Sequence, residues 1–110
     1  MPKAASELDR LAGIIPPIVT PFDQVGEVAP VLFRQNIRRW LEEPISGFVL
    51  FGSNGEGQLL DEEEKIRLTA FARELVPAAM PLIAGVGAES TRAVIREGKK
   101  LAEAGATYLL

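Results

Sequence analysis

The chain is predicted to be an α/β protein built on a parallel sheet, with roughly three βα units followed by a fourth strand. Three observations predict this. Short apolar runs recur with starts about 25 to 34 residues apart. The stretches between them place apolar side chains at helical spacing. Glycine and proline punctuate the joins. Strands and helices alternating in this way imply parallel strands joined by right-handed crossovers. At 110 residues and 47% hydrophobic content, the chain can bury a core of its own.

Met1 to Ala12 reads as an amino-terminal extension, with a short helical turn over Glu7-Leu8-Asp9-Arg10-Leu11. Gly13 to Phe22 gives a first strand of β-branched residues whose ends are made irregular by Pro16, Pro17 and Pro21. A loop follows over Gln24 to Pro30, bent at Gly26. Helix one is expected from Val31 to Glu43, with Phe33, Ile37, Trp40 and Leu41 inward, Arg34, Arg38, Arg39 and Glu42 in water, and Pro44 as its stop. Trp40 reads as a core residue rather than a ligand platform. Strand two, Gly47 to Phe51, is apolar throughout, so both of its faces should be covered.

Asp61-Glu62-Glu63-Glu64 opens helix two as a capping box, with Asp61 as N-cap and Glu64 three residues on. These acids sit where the helix dipole favours negative charge, which explains them without a metal or an acid-base role. Leu68, Phe71, Ala72, Leu75 and Val76 form the inward face and Pro77 ends the helix. Strand three is Pro81 to Val86. Helix three starts at Ser90, packs through Val94, Gly98, Leu101 and Ala102, and closes at Gly105; strand four begins at Ala106.

Composition narrows the chemistry. The formal net charge is -3, and Lys and Arg are scattered, which removes the electrostatic footprint of a nucleic-acid binder. No apolar run is long enough to span a membrane, and Met1 to Ala12 lacks the pattern of a signal sequence, so a cytoplasmic protein is expected. Cysteine and histidine are absent, excluding disulfides, thiol nucleophiles, histidine triads and most zinc chemistry. No cofactor or metal is expected. An open dinucleotide-binding sheet is disfavoured as well, because Gly52, Gly55 and Gly57 have the wrong spacing and follow the second strand, not the first.

The stretch Phe48-Val49-Leu50-Phe51-Gly52-Ser53-Asn54-Gly55-Glu56-Gly57 carries the strongest functional signal. A strand runs straight into a glycine-rich turn and then into a capped helix. Such turns converge main-chain N–H groups on a small space and suit an anion. The plainer reading of Ser53-Asn54 is an ordinary reverse turn, since both residue types are common there. Glu56 is expected to hold the turn by hydrogen bonds to the backbone rather than to act as a base.

With these residues laid out, the chain resembles the amino-terminal part of the pyruvate-dependent class I aldolases and lyases, the family of dihydrodipicolinate synthase and N-acetylneuraminate lyase. Three segments carry the likeness in order: Ile18-Val19-Thr20-Pro21-Phe22, Gly52-Ser53-Asn54-Gly55-Glu56 and Ile83-Ala84-Gly85-Val86-Gly87. Many synthases have two threonines where this chain has Ser53-Asn54, a pair more similar to the 4-hydroxy-2-oxoglutarate aldolase branch. The resemblance implies that residues 1–110 form the amino-terminal portion of a (β/α)8 TIM barrel, a fold of about 250 residues.

It also implies a Schiff-base enzyme acting on pyruvate or another 2-oxo acid, typically as a homo-oligomer, a tetramer in much of the family. By the family pattern Ser53 supplies a proton-relay hydroxyl, and Ser53 and Asn54 bind the substrate carboxylate. The Schiff-base lysine on the sixth strand and the relay tyrosine beyond the fourth have no counterpart here. Lys3 sits in the extension; Lys65, Lys99 and Lys100 are assigned to polar helix faces; Tyr108 lies within strand four. The chain alone is therefore expected not to turn over. Two rivals remain: a non-catalytic partial barrel acting as an interaction or structural module, and, with less support, a phosphate-binding half-barrel.

Overall fold

A computed structural model describes residues 9–110. Lys3 and the part of the extension before Asp9 lie outside the described residues. Asp9–Leu11 forms a single short turn of 3-10 helix. The regular elements are α1 (Pro30–Trp40), β1 (Phe48–Leu50), α2 (Glu62–Leu75), β2 (Leu82–Ala84), α3 (Thr91–Ala104) and β3 (Tyr108–Leu109). The three strands are parallel in the order β1-β2-β3. Strands two, three and four of the sequence reading are these three.

The expected first strand is present only as an extended segment. It touches β1 through a single parallel bridge, Pro17 to Val49. Three hydrogen bonds hold it there: Ile14 and Pro16 carbonyls accept from Ser46 and Val49, and Ile18 N–H donates to the Val49 carbonyl at 3.0 Å. Pro16 has no N–H to donate, so the ladder cannot continue toward Ile14, and at the other end the chain after β1 turns away at Phe51, whose φ is 63. Its position still matters, because it places the first segment beside β1 and gives an order that follows the sequence. Sequential parallel strands with no reversal are the arrangement of a barrel wall.

Helix packing agrees. α1 packs on α2 and α2 on α3, which places all three helices on one side of the sheet. Phe48, Leu50, Leu82 and Ala84 face them and are each at most 1% exposed. Val49 and Ile83, paired in register, face the other way and are only half-buried. The expectation that both faces of this strand are covered is therefore corrected, since the second face has no helical layer among the described residues. The core on the helix side joins Phe33 and Ile37 of α1, Leu68 and Ala72 of α2, and Leu101 of α3. Fully burying one such side chain contributes roughly 1.5–3 kcal/mol, so this cluster dominates cohesion.

Several boundaries and faces differ from the sequence reading. α1 starts at Pro30, a position where the missing N–H costs nothing, and stops at Trp40 rather than Glu43. The residue before Pro44 is disfavoured in helical geometry, and Leu41 to Pro44 turns instead. Arg34 is not free in water; its guanidinium lies 3.9 Å from the centre of the Phe71 ring. Ala102 is exposed, whereas Glu97, not among the residues expected to face inward, is buried beside Gly98 and Leu101. Trp40 is half-buried against Phe48, with ring centres 6.3 Å apart, as a core role requires.

The ends of the helices follow the sequence closely. Asp61 Oδ1 accepts from Glu64 N–H and Glu64 Oε1 from Asp61 N–H, both at 2.9 Å, so the capping box is complete. Ser90 Oγ accepts from Ala93 N–H at 3.1 Å and caps α3. At the opposite end, Arg73 donates to the carbonyls of Pro77 at 2.6 Å and Met80 at 3.0 Å. Its pKa is pushed down from the ordinary arginine value, by burial first and the neighbouring Arg10 second.

Candidate active site

β1 leaves the sheet at Leu50, and the next residue, Phe51, has a left-handed backbone with φ 63. That conformation is rare for a bulky side chain and costs about 1–3 kcal/mol, so the surroundings must hold it. They do so by close approach. Gly57 and Gly85 both lie against the Phe51 carbonyl, where a β-carbon at either position would overlap it. Phe51 itself is buried. The chain is thereby turned sharply at the carboxyl end of β1, into a tight turn over Ser53–Gly55 and a second over Gly57–Leu59.

Within this double turn most N–H groups have internal partners. Gly55 and Gly57 donate to the Gly52 carbonyl at 3.0 and 3.3 Å, and Glu56 donates to the Ser53 carbonyl at 3.2 Å. The first segment braces the turn from outside. Thr20, itself buried, donates from Oγ1 to the Gly55 carbonyl at 2.7 Å. Among the described residues, the N–H groups of Ser53 and Asn54 meet no protein acceptor. Both residues are exposed, so these donors are accessible to solute.

A cavity of about 470 Å³ opens beside the turn. It is lined by the segments that follow all three strands: Phe51 to Ser53 and Glu56 to Leu59 after β1, Gly85 to Gly87 after β2, and Leu110 after β3. Loops at the carboxyl ends of parallel strands are where α/β barrels carry their sites. Ser53 lines the cavity, whereas Asn54 belongs to the turn without lining it. Glu56 and Gln58 line it too. The backbone-bracing role expected of Glu56 is not seen, because its side chain makes no hydrogen bond to the backbone among the described residues. Gln58 was missed; a glutamine in a turn carries no signal in sequence.

Among the described residues, no cationic side chain lines the cavity. A basic group, Lys65, stands behind its wall beside Gly87, and its assignment to a polar helix face is corrected here: the residue is 3% exposed. Its Nζ donates to Glu97 Oε1 at 2.8 Å, joining α2 to α3. Engaged in that pair and outside the cavity lining, it is not placed as a nucleophile. Lys99 and Lys100 are exposed as expected, Lys100 meeting Glu62 at 3.2 Å. Tyr108 pairs in register with Ile83 and does not line the cavity. No group of three or more metal-ligating side chains occurs among the described residues, and no helix there is long and apolar enough to cross a membrane.

Comparison with known proteins fits this geometry. Residues 10–110 match the model of the dihydrodipicolinate synthetase family. A protein of Coccidioides immitis named as a mitochondrial 4-hydroxy-2-oxoglutarate aldolase is 37% identical over 99 residues, which cover 89% of this chain and 32% of the relative. The 4-hydroxy-tetrahydrodipicolinate synthase of Salinibacter ruber is 31% identical over 98 residues, covering 89% of this chain and 32% of its own. Among solved structures, the prophage protein YagE of E. coli K12, of the dihydrodipicolinic acid synthase family and solved in complex with pyruvate, superposes with a TM-score of 0.79. It is 29% identical, over 88% of this chain and 33% of that one. The chain thus spans about a third of the length of the relatives it matches. With sequential parallel strands, helices on one side, and a glycine-rich turn closing a cavity at the strands' carboxyl ends, it forms part of a (β/α)8 barrel and belongs to the dihydrodipicolinate synthetase family.

Proposed function

We propose that the Gly52–Gly55 turn holds the carboxylate of pyruvate or another 2-oxo acid, within a class I aldolase or lyase of which these residues form the amino-terminal part of the barrel. The observation that carries this reading is the pair of adjacent N–H groups on Ser53 and Asn54 that meet no acceptor among the described residues, in a turn where the next three, on Gly55, Glu56 and Gly57, are engaged. Two adjacent main-chain donors suit the two oxygens of a carboxylate, and they need no lysine or arginine to do so. The pyruvate complex of YagE supports the class of ligand.

In this reading Ser53 also presents its hydroxyl to the reacting centre as a proton relay. The chemistry is carbon–carbon cleavage through a Schiff base. A lysine amine condenses with the keto carbon and releases water; the hydroxyl on the carbon beyond the adjacent one gives up its proton and becomes the carbonyl of a departing aldehyde, while the electron pair of the broken carbon–carbon bond passes to the iminium to give an enamine. A proton then returns to carbon and water releases pyruvate. The lysine and the relay tyrosine are assigned to strands and loops beyond those of this chain, so residues 1–110 supply the carboxylate clamp and the hydroxyl but no turnover. Ser53-Asn54 favours a 4-hydroxy-2-oxoglutarate aldolase type of substrate. A cytoplasmic homo-oligomer is the setting that goes with this reading.

Treating the chain with pyruvate and borohydride, followed by mass spectrometry, tests the division of labour. The expected result is saturable pyruvate binding without a covalent adduct. A stoichiometric adduct on Lys3, Lys65, Lys99 or Lys100 would show that the chain carries its own nucleophile.

A second reading is a non-catalytic association module. Val19 on the first segment, Leu109 on β3 and Leu110 just after it leave apolar surface at both edges of the sheet, with exposures of 49%, 48% and 72%. Sedimentation separates the two: concentration-dependent self-association with no response to pyruvate favours the module.

A further inference from the structure

Behind the cavity wall lies a charged pair that the carboxylate-clamp reading does not use. Lys65 is in the first turns of α2 and Glu97 is midway along α3, so their bond ties together the helices that follow two of the cavity's loops. The side chains are only 4% and 12% exposed. Taking two charges out of water is costly, and a buried pair is often no more stabilising than apolar residues of the same size. Cohesion alone is thus a weak reason for it to be there.

Its placement suggests another reason. A β-carbon on Gly87 would come within 3.3 Å of Lys65 Nζ, and apart from its chain neighbours no other described atom, Glu97 oxygens included, would lie within 4 Å. Gly87 is part of the cavity lining. The ammonium therefore stands directly behind the wall, closer to it than the carboxylate that partly neutralises it. Charges separated by little solvent interact strongly and are weakly screened by salt.

We propose that the Lys65–Glu97 pair sets the electrostatic potential of the cavity, with Lys65 attracting the carboxylate of a 2-oxo acid and Glu97 limiting that attraction. Lys65 acts through the wall and touches no substrate, so it is a positioning residue. The inference rests on the carboxylate-clamp reading above.

The test is pyruvate affinity, measured by NMR titration of the whole chain at low and high salt, in four variants: Glu97→Gln, Lys65→Met, Lys65→Met with Glu97→Leu, and Lys100→Met. Removing only the Glu97 charge should tighten binding by roughly 3- to 10-fold, and removing only Lys65 should weaken it by a similar factor. The double variant should fall between the two. Lys100 pairs with Glu62 in solvent, at 46% and 38% exposure, and its loss should change affinity by less than about twofold. A purely structural pair would shift Glu97→Gln and Lys65→Met in the same direction, overturning the proposal. Should Lys65→Met fail to fold, Glu97→Gln and the double variant carry the comparison. Wild-type binding with unchanged affinity in Glu97→Gln overturns this inference alone, whereas no binding by either protein overturns the clamp reading with it.

Discussion

The carbonyl oxygen of Phe51 rests against Gly85, on the neighbouring strand's exit, closely enough that a single methyl group there would overlap it. This contact fixes the left-handed bend at Phe51 and so determines where the Ser53 turn begins. Gly85→Ala should destabilise the chain by about 1–3 kcal/mol in urea unfolding, the usual cost of overpacking. It should also shift the backbone resonances of Gly52 to Gly55, which an effect confined to the core would leave in place.

Thr20 braces the same turn from the first segment through its bond to the Gly55 carbonyl. Thr20→Val keeps the shape and leaves that carbonyl without its partner, at a cost of about 1–3 kcal/mol. Pyruvate affinity should fall as well, because the turn loses its outer support. Urea unfolding together with an NMR titration checks both effects, and unchanged affinity would show that the brace is structural only.

Arg73 does comparable work at the other end of the strands. It gathers the Pro77 and Met80 carbonyls after α2, and its aliphatic stem packs on Gly105, where a β-carbon would meet Cγ at 2.5 Å. Gly105 also has φ +127, a conformation that side chains disfavour. Arg73→Met and Gly105→Ala should each lower stability by roughly 1–3 kcal/mol while leaving the pyruvate affinity of the folded protein unchanged. The contrast with Thr20→Val separates the stabilising end of the barrel segment from its functional end.

Asp61 is the N-cap of α2, and Asp61→Ala should cost about 1 kcal/mol in urea unfolding. Because Asp61 and Glu64 bond reciprocally, the double alanine variant should cost less than the sum of the single ones, a coupling that a double-mutant cycle measures directly.

What was legible in the sequence was local. The capping box at Asp61, the N-cap at Ser90, the close of α3 at Gly105 and the inward Phe33 and Ile37 all follow from residues within a few positions of one another. What was not legible depends on partners far along the chain. Lys65 follows three glutamates and looks solvated, yet Glu97, 32 residues later, draws it inside. Arg34 looks like a surface charge until α2 brings Phe71 beneath it. The bend at Phe51 has no local signature, since its causes, Gly57 and Gly85, are readable only as turn residues. The loss of the first strand's ladder was half legible: Pro16 and Pro17 announce irregular pairing, but its reduction to one bridge depends on β1. For the candidate site, the turn and Ser53 could be picked out from sequence, whereas the cavity's other polar side chains, Glu56 and Gln58, needed the fold to bring them beside it.

The central claim is that the Ser53 and Asn54 N–H groups receive a carboxylate. Titrating the ¹⁵N-labelled chain with pyruvate, and in parallel with its neutral amide, tests this most directly. Saturable binding on the order of millimolar is expected for so small a ligand, with the largest shifts at Ser53 and Asn54 and none of comparable size from the amide. Equal shifts from both ligands, or pyruvate shifts that bypass Ser53 and Asn54, would contradict it.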